Sequence, residues 1–370
     1  MNTLEYTPVR ENRWCGTNCC YILFIKHHIL RAIYKGILRY VAASHGEDYV
    51  VQPLAPDHLA LTATETGSAR YRLSWHGVED ALEPSAHPTW YVVYTRQDDG
   101  DFDGGQLVKD DHLDVELEPG ILYAFRVTAA NKGGQSFPSE TLAAGIPQGQ
   151  SRGQVLVVNG FQRIGGPQVV ETADSIGFDL DADPGVPYIS TLAFCGRQTD
   201  FNPSSMQLGP DLCKVGASGD ELVGYTLCGN TFDFAAVHAS AILASGYTVS
   251  SGSRECFEGG DVHVSACQII DLYLGLQNRE VLSEAMRQRL SAFVADGGRL
   301  LVSGSYLGAS CADDPGTQSF LHDVLGTCFL AGNRRATDNA VIGQNLTLPF
   351  QRSFNPYIYP LVRPEIIEPI

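Results

Sequence analysis

Three side chains in the carboxyl-terminal half have the makings of a hydrolytic site: Ser305, His238 and Asp233. A serine hydroxyl is a weak nucleophile until a base takes its proton and a third group orients that base. Ser305 stands in SGSYLG (303–308), at the end of an expected strand. It lies one residue off a G-x-S-x-G elbow, because Gly304 and Gly308 flank it asymmetrically. Asp233 and His238 fall on one expected helix, in GNTFDFAAVH, at a spacing of five that suits a direct pair poorly. The same two residues therefore also read as a carboxylate at a helix start and a core-facing histidine. Cys195, in FCGRQ, precedes Gly196 and Arg197, and a guanidinium there would lower a thiol pKa. A buried thiol is the alternative. Asn159, Arg197, Asn230 and Tyr306 complete the polar groups expected around strand ends, as candidate binding residues.

Metal chemistry has one candidate. DLDADPG (179–185) places Asp179, Asp181 and Asp183 at alternate positions with Gly185 behind, and converging carboxylates in a turn suit calcium. An EF-hand loop would end on an acid where Ser190 stands, so that motif fails and a solvated acidic loop is the competing reading. His27 and His28 are adjacent, and adjacent side chains on a helix point about 100° apart, which is poor for chelation. The ten cysteines include no C-x-x-C pair, which argues against structural zinc. Apart from possible calcium, no cofactor is expected.

These groups need a scaffold, and the composition supplies one. Of 370 residues, 44% are hydrophobic and 18% charged, enough for folded cores in two or three domains. A net charge of −17 offers no basic face for phosphate neutralisation, so nucleic acid is excluded as a partner. No run of eighteen apolar residues exists, so a membrane span is not expected, and no signal peptide is recognisable. The charge is uneven. Residues 1–46 carry Arg10, Arg13, Lys26, Arg31, Lys35 and Arg39 against only Glu5 and Glu11, which sets this head apart from the acidic body.

Residues 1–29 show no clear period. Residues 30–46 do: Ile33, Ile37 and Val41 recur at helical spacing beside Tyr34 and Leu38, and Gly46 stands where a helix would stop. Residues 50–147 read as all-β, with strands at LALTAT (59–64), RYRLSW (70–75), TWYVVYTR (89–96) and ILYAFRVTAAN (121–131). A polar QGQSRG linker (148–153) follows. Residues 154–330 then alternate strand and helix. QVLVVNGF (154–161), YTVSS, CQIIDLYLGL (267–276) and RLLVSGSYLG (299–308) are strands, while FDFAAVHASAILASG (232–246), VLSEAMRQRLSAFVADGG (281–298) and SFLHDVLG (319–326) are helices. Such alternation predicts a parallel doubly wound sheet with its site at the carboxyl ends of the strands.

Residues 50–147 resemble the fibronectin type III domain. Trp75 sits at the end of the second strand, Leu117, Pro119, Gly120 and Tyr123 form a tyrosine-corner pattern, and Tyr123, Phe125, Val127 and Ala129 alternate inward. Residues 154–370 resemble the class I glutamine amidotransferase-like, flavodoxin-like superfamily, on VLVVNGF, IIDLYLG and LSAFVADGGRLLVSGSY. No cysteine has the context of that superfamily's nucleophile.

The whole order resembles a family of secreted bacterial proteins labelled xanthan lyase or N-acetylmuramoyl-L-alanine amidase, on RAIYKGILRYVAASHG, GFDLDADPGVPY, FCGRQTDF, GNTFDF and LLVSGSYLG. The resemblance implies that residues 30–46 correspond to the last helix of an amidase domain whose zinc ligands lie in preceding family regions. It also implies a chain shortened at both ends, with residues 154–370 incomplete, and a periplasmic or extracellular location. The expected function is a non-catalytic accessory region contacting glycan, cell-wall material or another protein surface. The alternative is a lyase or hydrolase site in the α/β segment, drawing on Arg197, His238, Ser305 and Tyr306.

Overall fold

The computed structural model describes residues 21–161, 168–171, 176–179, 233–262, 264–275, 277, 280–304, 306–308, 314–331, 340–342, 347–349 and 366–370. Helix α1 (Tyr21–His45) begins nine residues before the expected start at residue 30. The reason is local: from Tyr21 to Arg31 neither glycine nor proline interrupts the backbone, so the apolar run continues the helix although it lacks a period. Gly46 ends it in a left-handed conformation (φ 68°). The Glu47 N–H donates to the Ala42 carbonyl and the Gly46 N–H to Ala43, at 3.0 and 3.3 Å, which is the Schellman closure. Ile33, Ile37 and Tyr40 are exposed on this helix.

The β-rich segment forms a sandwich of eight strands: β1 (Asp57–Ala63), β2 (Arg70–His76), β3 (Trp90–Gln97), β4 (Gln106–Val108), β5 (His112–Glu116), β6 (Leu122–Asn131), β7 (Gly134–Gln135) and β8 (Leu142–Gly145). β1, β2 and β5 make one layer, and β4, β3, β6 and β8 the other. Period-two alternation sends Tyr71, Leu73 and Trp75 inward from β2 to meet Val93, Tyr123, Phe125 and Val127. Trp75 stands edge-on to Tyr91 at 5.4 Å between ring centres, an arrangement aromatic quadrupoles favour.

β6 is buried along nearly its whole length, on both faces. Its outer residues Leu122 and Ala124, with Ala143 of β8, join a second core. The elements that cover them come from the next segment. That segment opens with β9 (Gln154–Asn159), followed by β10 (Gln168–Glu171) and β11 (Ile176–Asp179), an antiparallel hairpin. α1 and this hairpin fall in a compact unit separate from the one that holds the sandwich and β9.

The chain continues through α2 (Phe234–Ala244), β12 (Thr248–Gly252), α3 (Arg254–Gly259), β13 (Ile269–Gly275), α4 (Glu284–Ala295) and β14 (Arg299–Gly304). α5 (Pro315–Asp323), β15 (Thr327–Ala331), β16 (Ala340–Ile342), β17 (Thr347–Pro349) and β18 (Ile366–Pro369) close the series, with β15 paired to β18 and β16 to β17. Ser283 caps α4 by accepting the Met286 N–H at 3.1 Å, and Ser253 caps α3 through Cys256.

β14, β13, β9 and β12 lie side by side, every neighbouring pair parallel. Such strands are buried on both faces and read as continuous apolar runs, as Val155–Val158 does. Leu156, Val158, Ile270 and Leu272 pack under Phe257 of α3 and Met286 and Leu290 of α4. Val157 and Tyr273 face the other way, toward α2.

The sheet does not stop at β12. β8 pairs with it antiparallel at Val249, and β1 pairs with it antiparallel through Ala60 and Leu61. The sandwich and the parallel strands therefore share one hydrogen-bonded sheet, and α2 covers the seam between them.

Candidate functional site

Chain order places β9 between β12 and β13, so the connections leave it in opposite directions. In open α/β sheets, ligands bind beside such a reversal, outside the carboxyl ends of the strands. Polar groups gather around β9 and β13 on the face covered by α2.

His238, on α2, points its Nδ1 to Asp271 Oδ2 on β13 at 2.7 Å. The Asp271 side chain is 4% exposed and the His238 side chain 26% exposed. Asp271 Oδ1 has no hydrogen-bond partner among the described residues. A buried carboxylate that accepts from Nδ1–H fixes the imidazole tautomer and leaves Nε2 as the basic nitrogen. The His238 ring also lies 5.0 Å from that of Tyr273, which is two residues beyond Asp271 on the same strand face. Burial first, then the charges of Glu140 and Asp271, hold the Tyr273 hydroxyl well above its ordinary pKa, so it stays neutral.

Asn159 ends β9 and is buried. Its Nδ2 donates to Glu140 Oε2 at 2.6 Å, and its Oδ1 accepts the Phe161 N–H at 3.2 Å. Burial raises the Glu140 carboxyl to about 8, against the lowering effect of the Asn159 bond and with help from the charges of Glu255 and Asp57. A carboxylic acid held protonated near neutrality can serve as a general acid. Below this pair Arg254 donates to the carbonyls of Gly160 and Val281, at 2.8 and 3.3 Å, and to Glu258 at 2.9 Å. It ties the β9 turn to the segment before α4.

The residues singled out from sequence distribute as follows. Asp233 and His238 share α2 but bond to different partners: Asp233 accepts from Arg96 of β3 at 2.9 Å, while His238 is held by Asp271. Tyr306 packs on the α3–α4 core, the opposite face from His238. Asp179 ends β11. Ser305, Cys195, Arg197, Asn230, Asp181 and Asp183 lie outside the described residues. Asp271 and Glu140 were missed by sequence reading. Asp271 carried a signal, being the one charged residue in the apolar run IIDLYLG. Glu140 carried none, because it follows a strand end in polar surroundings.

Two further features lie away from these residues. A cleft of about 720 Å³ opens at the amino ends of the strands, among Arg152, Tyr247, Arg289 and Arg299. Its Arg152 and Arg289 stack on Tyr247 and Phe257 and donate to the Ser245 and Val262 carbonyls. Among the described residues, one group of potential metal ligands converges: Asp57, His58 and His76, on the sandwich. No described helix is long and apolar enough to cross a membrane.

Residues 54–144 match the fibronectin type III domain, and the chain contains that domain. Among solved structures, the chain is similar to the twitchin kinase region of C. elegans, at 26% identity over 27% of this chain and 18% of that one, with a TM-score of 0.23. It is also similar to the fibronectin type III domain of human fibronectin type III domain containing protein 3, at 23% identity over 27% and 93%, TM-score 0.22. A third is the FN5 domain of Drosophila Lar, at 19% identity over 26% and 99%, TM-score 0.21. No curated protein matches the chain.

Proposed function

We propose that this chain is a binding region in which a fibronectin type III domain is fused to a flavodoxin-like, amidotransferase-like domain. On this reading it serves a secreted bacterial protein of the xanthan lyase or N-acetylmuramoyl-L-alanine amidase type, in the periplasm or outside the cell. The observation that carries the reading is the shared sheet. Fibronectin modules are ordinarily spacers or binding surfaces, and here β1 and β8 bond directly to β12. The two surfaces are thereby held in one orientation, which suits recognition of an extended glycan, a cell-wall fragment or a protein surface. The parallel order β14-β13-β9-β12, with its reversal at β9, supports the flavodoxin-like assignment.

The test is saturable binding of the intact chain to muropeptides, acidic polysaccharide and candidate protein partners, read by calorimetry. Binding without turnover supports the reading. Absence of binding to every class overturns it.

A second reading has its own observation. The His238–Asp271 pair is the base-and-orienter part of a hydrolytic site, and Glu140, bonded to Asn159 at the end of β9, is a neutral acid near Tyr273. On this reading the α/β part is itself a hydrolase or lyase on glycan or cell-wall material. Turnover of those substrates that disappears in Ser305→Ala and in His238→Asn, with the fold retained, would establish it over the first.

A further inference from the structure

β1 and β2 pair with an irregularity. Asp57 lies opposite His76, but the next partners are Ala60 and Ser74, so β1 carries one residue more than its partner over this stretch. The extra residue is accommodated at His58, whose φ is 50°. A non-glycine residue rarely enters the left-handed region, and a bulge built this way re-aims a side chain. In a regular strand Asp57 and His58 would point to opposite faces. Here both point the same way: His58 Nδ1 lies 2.8 Å from Asp57 Oδ1. The His58 ring lies 4.7 Å from the His76 ring at an interplanar angle of 22°. One ligand atom from each of the three side chains falls within 4.8 Å of the others.

We propose that Asp57, His58 and His76 form a binding site for a borderline divalent transition-metal ion, with Zn²⁺ the natural occupant. Two imidazoles and one carboxylate suit Zn²⁺, Co²⁺ or Ni²⁺, whereas calcium and magnesium prefer all-oxygen shells. The side chains of His58 and Asp57 are 36% and 47% exposed, so an ion can enter and a water can fill a fourth position. The bulge is anchored from behind, because Cys256 Sγ donates to the His58 carbonyl at 2.9 Å. Because α3 provides this anchor, an ion at the bulge would stiffen the sandwich where it meets the next segment.

The experiment uses the intact chain stripped with a chelator and titrated with Co²⁺, followed by displacement with Zn²⁺. Expected is one equivalent of Co²⁺ with ligand-field absorption and no thiolate charge-transfer band, displaced by Zn²⁺, which also raises the thermal midpoint. His76→Gln and Asp57→Asn should each weaken binding about tenfold or more. His76 is exposed, so the metal-free thermal midpoint of His76→Gln should equal that of the parent, which separates ligand loss from misfolding. Undiminished affinity in His76→Gln, or a thiolate charge-transfer band, overturns the proposal.

Discussion

His238 and Asp271 stand 33 positions apart in sequence, and their 2.7 Å contact ties α2 to the middle of a parallel strand. The contact is unequal. Asp271 is buried with one oxygen unpartnered, while His238 reaches solvent. Removing the histidine leaves a buried carboxylate without compensation, whereas removing both groups leaves an apolar contact. His238→Ala should therefore cost about 3 kcal/mol, and His238→Ala with Asp271→Leu appreciably less. Urea denaturation of the two variants decides this. Equal losses in both would show that the pair contributes through packing alone.

Glu140 predicts how stability depends on pH. Its carboxyl titrates at about 8 in the folded chain, against an ordinary value of 4.5. Between those values the folded state holds a proton that the unfolded state has released. The contribution of this group is thus complete below about 4.5 and is lost as pH rises through about 8. The linkage limit is about 5 kcal/mol, and partial exposure of the side chain brings the expectation to about 1–2 kcal/mol. Glu140→Gln should flatten the fall between pH 5 and about 8. It should also make the chain more stable than the parent at the upper end, as measured by denaturation midpoints. A parallel fall in both proteins would assign the slope to other groups.

The shared sheet predicts coupled unfolding. Ala143 donates its N–H to Ser251 Oγ at 2.9 Å, and its methyl group lies in the core under α2. Ala143→Asp places an unpaired carboxylate in that core, at a cost of about 3 kcal/mol. Hydrogen exchange should accelerate in α2 and β12 as well as in β8. Acceleration confined to β8 would show that the fibronectin domain opens without its neighbour.

The inner face of the fibronectin domain was legible because alternation, aromatic residues and turn glycines agreed on one pattern, as Tyr71, Leu73 and Trp75 show. Its outer face was not. Leu122, Ala124 and Ala143 are apolar on what should be a solvated surface, and only the presence of α2 explains them. α3 escaped because six residues hold too little period to detect, and its Ser253 cap is the one local signal. Asp233 and His238 stand out by residue type, but sequence distance carries no information about partners across a sheet. Arg96 and Asp271 could be paired with them only by the fold.

The cysteines offer a last test, and it bears on the bulge at His58. Burial raises the Cys256 thiol to about 12 and the Cys267 thiol to about 11. Reaction with an alkylating reagent proceeds through the thiolate, so at pH 8 both should be far slower than a free cysteine. Cys256 should be the slower of the two, because it is buried and its Sγ is engaged by the His58 carbonyl, whereas Cys267 is partly exposed. Peptide mapping after iodoacetamide treatment at pH 8 should find these two positions unmodified in the folded chain and modified in denaturant. Rapid native labelling of Cys256 would mean that α3 separates readily from β1. In that case the His58 bulge would lack its anchor, and metal affinity at Asp57, His58 and His76 should rise when the Cys256 contact is strengthened by added osmolyte.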